Sequence, residues 1–199
     1  MNRREFLKRA GVLCTAAVLA LYACPGDAAD PAPVIVLVTY HSVTGNTEKM
    51  AQAVAEGTKA VSGTSVVLKR VGEVIGDDLL SADAVIVGSP VYVGNMSGEV
   101  KTFFDNWGRK FSLGTATGKM RDKVGAAFAT GGGVSSGKEI AMLTILVSMI
   151  SHQMIVIRGA SATTGPDSPG IDAKEIAEAR DLGKRVAEVA ALVKRGATK

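Results

Sequence analysis

Short apolar segments alternate with helical segments along most of the chain. Helical spacing of apolar residues predicts helices at about 47–61, 98–107, 138–151 and 173–194, whereas 71–80 is predicted to be a loop with at most one turn. The apolar segments are rich in Val, Ile and Ala, and five are predicted as strands: Val34–Thr39, Ser65–Arg70, Ala84–Gly88, Val124–Thr130 and Met154–Ile157. Continuous apolar strands separated by helices are typical of a parallel sheet covered on both faces. We therefore expect one doubly wound α/β domain with a five-stranded parallel sheet.

The loop between the first strand and the first helix is rich in hydroxyl groups. Its sequence is Ser42-Val43-Thr44-Gly45-Asn46-Thr47. The first turn of a helix carries unpaired N–H donors and the positive end of the dipole, and Gly45 lets the backbone approach a ligand or adopt a positive φ. These are the parts of a phosphate-binding loop. The alternative is an ordinary helix N-cap, with Asn46 or Thr47 capping and the hydroxyl groups solvated.

Two further loops are expected at the same edge, because ligands of doubly wound sheets bind outside the carboxyl ends of the strands. After the third strand, Pro90 would rigidify the strand exit and Tyr92 offers a flat apolar ring with a polar tip. After the fourth strand, Thr130 precedes Gly131-Gly132-Gly133, whose backbone can approach a ligand closely. A phosphate loop and two loops that clamp a ring fit a mononucleotide with a planar head. Core packing of Tyr92 and a flexible turn at the glycines are the alternatives.

The first 29 residues are predicted to be a cleaved leader rather than part of the fold. A basic start is followed by the apolar run 10–23, which is shorter than the roughly 20 residues that span a bilayer. The pair Arg3-Arg4 and its flanks resemble the twin-arginine export motif; a Sec signal or a membrane anchor is the alternative. Cys24 ends a segment similar to a lipobox, so a lipid anchor there is an alternative to cleavage near Ala28 or Ala29. Residues 30–199 would then be an exported domain of the periplasm or cell envelope.

Charge and cysteine content exclude several classes of function. Without residues 1–29 the chain has 19 basic and 17 acidic residues, a formal charge of +2, which is too weak to indicate nucleic acid binding. Both cysteines, Cys14 and Cys24, lie in the predicted leader. The remaining domain therefore has no thiol for a disulfide, a metal site or redox catalysis. Any redox chemistry needs a bound cofactor, and we expect no metal.

These loops resemble the flavodoxin-like superfamily, and among its members most closely the WrbA-type NAD(P)H:quinone oxidoreductases. Residues 42–47 match the flavodoxin phosphate signature, and 94–98 and 151–157 are similar to WrbA-type segments. The resemblance implies the strand order 2-1-3-4-5 and FMN as the cofactor. It assigns the phosphate to the loop 42–47 and the isoalloxazine ring to two groups of residues: Pro90, Val91, Tyr92, Gly94 and Asn95; and Thr130, Gly131 and Gly132.

The same resemblance implies an enzyme that transfers two electrons from NAD(P)H to a quinone, as a homodimer or homotetramer. It places a histidine near the flavin at the position of His152, which would donate a proton. An inert histidine at the edge of the fifth strand is the alternative. An exported electron-transfer flavodoxin serving another redox protein, and an exported binding module, are the alternative functions.

Overall fold

The computed structural model describes residues 32–134, 136–165 and 170–197 of the chain, and the predicted leader lies outside these ranges. Two short 3₁₀ turns, Val71–Glu73 and Thr115–Thr117, accompany the regular elements. In chain order the elements are β1 (Val34–Tyr40), α1 (Asn46–Lys59), β2 (Thr64–Arg70), α2 (Gly76–Ser81), β3 (Ala84–Tyr92), β4 (Asn95–Met96), α3 (Gly98–Arg109), β5 (Val124–Gly131), α4 (Lys138–Ser151), β6 (Ile155–Val156), β7 (Ala160–Thr163) and α5 (Ala173–Ala197). Among the described helices, none combines the length and the apolarity needed to cross a membrane.

The parallel sheet has the order β2-β1-β3-β5-β6, and β7 also pairs with β5. The predicted order is confirmed, but the fifth position is filled by two short strands rather than by the single strand Met154–Ile157. Between them the backbone runs close to β5, since a Cβ on Gly159 would lie 2.2 Å from the carbonyl oxygen of Ala127. Between β6 and β7 the chain thus stays in contact with β5, although its strand pairing with β5 is interrupted there.

Strand β3 is four residues longer than the sequence predicts. It pairs with β5 up to Pro90↔Thr130, and its end folds back as an antiparallel pair with β4. The carbonyl oxygen of Gly88 accepts a hydrogen bond from the N–H of His41, so Gly88 and Pro90 face the β1 side. Because β1 has ended at Tyr40, the missing N–H of Pro90 costs no ladder bond.

The segment after β2 is more ordered than the predicted loop. Helix α2 begins at Gly76 and ends at Ser81, so the glycine lies at its first position and not in its interior. The Asp78 carboxylate accepts a hydrogen bond from the N–H of Ile75 at 2.9 Å and pairs with Lys69 at 2.8 Å. This N-terminal capping stabilises a six-residue helix that apolar spacing alone does not reveal.

Helices cover the sheet on both faces. On one face α1 and α5 pack closely, because a Cβ on Gly57 would lie 1.9 Å from the carbonyl oxygen of Arg180. The other face is covered by α2, α3 and α4, with Trp107 fully buried among Phe103 and Phe104. The indole N–H of Trp107 has no hydrogen-bond partner among the described residues.

Candidate functional site

Three loops meet at the carboxyl edge of the sheet. We call them the phosphate loop (42–47), which follows β1, the hairpin loop (90–97), which closes β3 onto β4, and the glycine loop (131–137), of which residue 135 lies outside the described ranges. Strand pairing places Tyr40 beside Gly88 and Pro90 beside Thr130, so the strand ends before these loops are neighbours. The sequence predicted this convergence.

The phosphate loop presents free backbone donors at the start of α1. Gly45 has φ of +87° in the left-handed region, and a Cβ placed on it would have no heavy atom within 4 Å. The Ser42 hydroxyl accepts a hydrogen bond from the N–H of Gly45 at 3.1 Å. Nothing among the described residues accepts a hydrogen bond from the first-turn N–H groups of Asn46 and Thr47. The loop therefore has open space and unpaired donors where an anion would bind.

No side chain caps α1. This observation distinguishes the phosphate-binding interpretation of the loop from the ordinary N-cap interpretation. The Asn46 amide donates to the hydroxyl of Thr44 at 3.3 Å, and the Thr47 hydroxyl shares a buried hydrogen bond of 2.8 Å with that of Thr130. An ordinary N-cap formed by Asn46 or Thr47 is thus not what the structure contains. The arrangement fits a phosphate held by backbone N–H groups and hydroxyls at a helix N-terminus.

Arg70, Glu48 and Tyr40 form a hydrogen-bonded network that contacts the phosphate loop. Arg70 donates to the carbonyl oxygen of Ser42 at 2.8 Å and to the Glu48 carboxylate at 2.6 Å. The Tyr40 hydroxyl donates to the same carboxylate at 2.9 Å, and the guanidinium lies over the Tyr40 ring. Burial, followed by the hydrogen bond to Glu48, raises the pKa of Tyr40 above its ordinary value of 10.0. Arg70 therefore ties the phosphate loop to β2 through a direct hydrogen bond to the loop backbone.

The hairpin loop exposes the Tyr92 side chain at its tip. Tyr92 is 43% exposed, and the turn that follows it uses positive φ values at Val93 and Gly94. Core packing of Tyr92 is therefore excluded, because nearly half of the residue is exposed. The backbone N–H of Ser97 donates to the Ser89 hydroxyl at 2.9 Å, which closes the hairpin.

His41 connects the phosphate loop to the hairpin loop. Its Nδ1 lies 2.9 Å from the Ser97 hydroxyl and 3.2 Å from the Glu99 carboxylate. Its ring is nearly perpendicular to the Tyr92 ring, at 83°, with centroids 6.1 Å apart. The sequence analysis did not select His41, Ser97 or Glu99. His41 lies directly before residues 42–47, and this position could have indicated its role. Its contacts could not be foreseen, because they are with residues 56 and 58 positions further along the chain.

The glycine loop packs tightly against its neighbours. A Cβ on Gly137 would lie 2.6 Å from the carbonyl oxygen of Gly94, so the glycine and hairpin loops touch through their backbones. A Cβ on Gly131 would lie 2.2 Å from the Ser136 hydroxyl, which is buried and has no partner among the described residues. The interpretation of 131–133 as a loose turn does not hold for Gly131, nor for Gly132, whose carbonyl oxygen packs against Gly165, whereas a Cβ on Gly133 would have no heavy atom within 4 Å.

Lys138 is a second residue that the sequence analysis missed. It is 95% buried at the start of α4, where its stem lies against Gly131, and its ammonium donates to the Thr163 hydroxyl. A buried lysine beside a ring-lining loop has no periodic signal, because it occupies the helix position that an apolar residue would also fill.

His152 lies far from the three loops of its own chain. It caps the carboxyl end of α4, where Nδ1 approaches the carbonyl oxygen of Ser148 at 2.8 Å and the ring packs on Trp107. The following strand β6 pairs with Val124 at the start of β5. Since β5 spans Val124–Gly131, the two edges are about 23 Å apart at 3.3 Å per residue. The structure brings together all the predicted site residues except His152.

A separate cavity of about 630 Å³ opens beside the phosphate loop. Its lining includes the aromatic residues Tyr40 and Phe103 and the charged residues Arg70, Glu73 and Glu99. None of the residues predicted to bind a cofactor lines this cavity. Within the described ranges no three His, Cys, Asp or Glu side chains are grouped as metal ligands would be.

Comparison with known proteins agrees with this geometry. Residues 32–167 match a family described as NADPH-dependent FMN reductase. The chain is 36% identical to a flavodoxin of Aquifex aeolicus, over 79% of this chain and 87% of that protein, and 33% identical to an NAD(P)H dehydrogenase (quinone) of Archaeoglobus fulgidus, over 78% and 96%. Its structure is similar to a WrbA-like flavodoxin of Agrobacterium tumefaciens, with a TM-score of 0.67, 26% identity, and coverage of 80% of this chain and 98% of that one.

Proposed function

Because the chain belongs to the NADPH-dependent FMN reductase family, we propose that it transfers two electrons from NAD(P)H to a quinone or a similar flat acceptor. The protein is an FMN-dependent oxidoreductase with a flavodoxin-like fold. The observation that carries the assignment is the phosphate loop, whose first-turn N–H groups and open space at Gly45 fit the phosphate of FMN. Bound FMN supplies the hydride and electron chemistry, and the chain supplies position and electrostatics.

Each loop has its own task in this proposal. The phosphate loop binds the phosphate through backbone N–H groups and through Ser42, Thr44 and Thr47. The half-exposed Tyr92 presents an apolar ring face against which a flat group can stack. The glycine loop leaves room at Gly133, where a Cβ would have no heavy atom within 4 Å. The exposed arrangement favours alternate binding of two flat substrates on one face.

Anaerobic reduction tests this function. The core lies between Val34 and Ala190, so the chain lacking residues 1–29 retains it. That protein should bind FMN and release it on denaturation, and excess NADPH or NADH should bleach the flavin in a stopped-flow mixing experiment. Addition of a quinone should then restore the oxidised spectrum, and steady-state kinetics should be ping-pong. Flavin that stays oxidised with both nucleotides would overturn the proposal.

The second candidate is electron transfer to another redox protein. It is favoured by the 36% identity to the Aquifex aeolicus flavodoxin over most of both chains. In that case a reduced protein or a quinol should reduce the flavin while NAD(P)H does not. One-electron reduction that stops at a stable intermediate state would distinguish this function from rapid two-electron turnover.

We also propose that residues 1–29 direct export of the folded, FMN-loaded protein by the twin-arginine translocase to the periplasm or cell envelope. The support is the Arg3-Arg4 pair and the short apolar run behind it. Replacing both arginines by lysine should retain the precursor in the cytoplasm, and undiminished export would contradict the proposal. A lipid anchor at Cys24 is tested by Cys24→Ala, since an unchanged soluble product would exclude it.

Self-association as a homodimer or homotetramer completes the proposal. It is supported by an apolar helix face that the described part of the fold leaves exposed on α4. Light scattering from the purified protein measures the number of copies directly.

A further inference from the structure

The cavity of about 630 Å³ beside the phosphate loop is large enough for a small organic ligand, since such sites measure roughly 300–1,000 Å³. Its lining adjoins two of the loops assigned to FMN. His41 immediately precedes the phosphate loop, and Gly98 immediately follows the hairpin loop. The His41 ring also lies 6.1 Å from that of Tyr92, measured between centroids. Because one residue both lines the cavity and contacts Tyr92, a long ligand bound at Tyr92 can extend into the cavity.

The electron donor of the proposed function is a ligand of that length. Only the nicotinamide of NAD(P)H has to reach the flavin, and the adenosine end, joined through a pyrophosphate, needs a place of its own. The three loops 42–47, 90–97 and 131–137 contain no Asp, Glu, Lys or Arg, so they offer no charged side chain to hold it. The cavity lining, in contrast, combines charged, amide and apolar groups.

Two polar side chains of the lining lack a partner. The Asn106 amide and the Thr102 hydroxyl are four residues apart on one face of α3, and neither side chain makes a hydrogen bond with a described residue. An amide carries a donor and an acceptor in one plane, the pair that binds N7 and the N6 amino group of adenine. Val71 and Phe103 of the same lining supply apolar contact. These groups fit an adenine base.

The charges of the lining determine which ribose fits beside the base. Glu73 and Glu99 contribute two carboxylates. In dinucleotide sites a carboxylate binds the ribose 2′-hydroxyl of NAD, whereas an arginine accommodates the 2′-phosphate of NADP. Among the eleven described residues that line the cavity there is no lysine, and the one arginine, Arg70, already donates to Ser42 and Glu48. A 2′-phosphate would therefore meet two carboxylates and no unengaged basic side chain.

The start of α3 supplies donors for the pyrophosphate. The backbone N–H groups of Gly98 and Glu99 have no acceptor among the described residues, whereas that of Val100 donates to the Ser97 hydroxyl. Both free donors belong to residues of the cavity lining. Unpaired N–H groups in the first turn of a helix favour a phosphate. The cavity thus has a partner for each part of an adenosine diphosphate group.

We propose that the cavity binds the adenosine end of the electron donor and that its carboxylates make the protein select NADH over NADPH. This inference rests on the proposed function, because it concerns the donor of the same reaction. Asn106 binds the adenine, Glu73 and Glu99 bind the ribose hydroxyls, and the nicotinamide lies at Tyr92. FMN stays in the three loops, so cofactor and donor have separate nucleotide sites.

Calorimetry with ADP-ribose tests the cavity without a redox reaction. ADP-ribose has the adenosine and pyrophosphate of NADH but no nicotinamide. It should bind the FMN-loaded protein lacking residues 1–29 at least about tenfold more tightly than its 2′-phosphate does, because like charges repel. Glu73→Gln combined with Glu99→Gln should narrow this preference at least about threefold. Glu188→Gln, which removes a carboxylate from α5, is the control and should leave the preference unchanged.

Recognition of the base is tested by Asn106→Ala. Affinity for ADP-ribose should fall at least about fivefold, because the adenine loses its hydrogen-bonding partner. In stopped-flow reduction the NADH concentration for half-maximal rate should rise by the same factor, while the limiting rate and the affinity for FMN stay unchanged. Gln52→Ala removes an exposed amide from α1 and should alter none of these quantities. An ADP-ribose affinity that Asn106→Ala leaves intact would overturn the assignment of the cavity.

Competition distinguishes a donor site from an effector site. ADP-ribose should inhibit reduction of the flavin competitively with NADH. Inhibition of another type would assign the cavity to a free adenine nucleotide that acts as an effector, and would overturn the proposal. Equal affinity for ADP-ribose and its 2′-phosphate would do the same. If the flavin stays oxidised with both nucleotides while Asn106→Ala still weakens ADP-ribose binding, the donor role fails and the nucleotide site stands.

Discussion

The phosphate loop and the glycine loop both place a glycine with positive φ directly before a helix, yet for different reasons. Gly45 at +87° has open space where its Cβ would be, whereas a Cβ on Gly137 at +90° would lie 2.6 Å from the carbonyl oxygen of Gly94. The space beside Gly45 is open to a group from outside the chain. The space beside Gly137 is filled by the backbone of the hairpin loop. The same residue type thus marks a binding position in one loop and a packing position in the other.

Gly137→Ala should have the largest effect on stability. A left-handed φ costs an alanine about 1–2 kcal/mol, and the clash with Gly94 adds about 1–3 kcal/mol. We expect a loss of about 3 kcal/mol in the free energy of unfolding, measured by urea denaturation without FMN. Gly118→Ala is the control, because Gly118 has φ of +64° and open space around it. Equal losses in the two variants would show that the backbone contact does not matter.

Gly45→Ala should separate binding from stability. The unfolding free energy should fall by only about 1–2 kcal/mol, because the alanine is strained but meets no neighbour. FMN affinity, measured by quenching of flavin fluorescence, should fall at least about tenfold, because the methyl group occupies the space at the phosphate. Gly63→Ala is matched in φ (+73°) and in open space but lies before β2. An unchanged affinity of Gly45→Ala would contradict the assignment of the loop.

The smallest effect concerns the hydrogen bond that joins the phosphate loop to β5. Thr47→Val or Thr130→Val alone leaves one buried hydroxyl without its partner and should cost about 1–2 kcal/mol of stability. The double variant should cost less than the sum, with a coupling of about 1 kcal/mol in a double-mutant cycle. Additive losses would mean that the two hydroxyls act independently.

The central strands β1, β3 and β5 could be predicted because they are buried on both faces and read as apolar runs. The end of β3 could not, since Ser89-Pro90 has the local signature of a loop and is tolerated only because β1 stops at Tyr40. The same holds in part for α2, because the Asp78 carboxylate that caps its start is also paired with Lys69 of the neighbouring strand β2. Where structure depends on what a neighbouring element does, a local pattern carries no information about it.

The candidate site also contains features that could be predicted from the sequence and features that could not. The convergence of the three loops was predictable, because the topology dictates that parallel strand ends share an edge. The contacts of His41 with Ser97 and Glu99, and the burial of Lys138, arise from loop conformations that no spacing encodes. His152 was selected by resemblance and lies at the opposite edge of its own chain, because α4 runs antiparallel to the strands.

Trp107 gives the chain an intrinsic optical reporter. It is the sole tryptophan of the sequence, fully buried in the layer formed by α2, α3 and α4, with its ring 4.9 Å from that of His152. Its emission should be shifted to short wavelength in the folded state and should move to long wavelength when this layer opens. Unfolding of the α1–α5 layer alone should leave the emission unchanged while circular dichroism falls. The two signals together would show whether the two sides of the sheet melt as one unit.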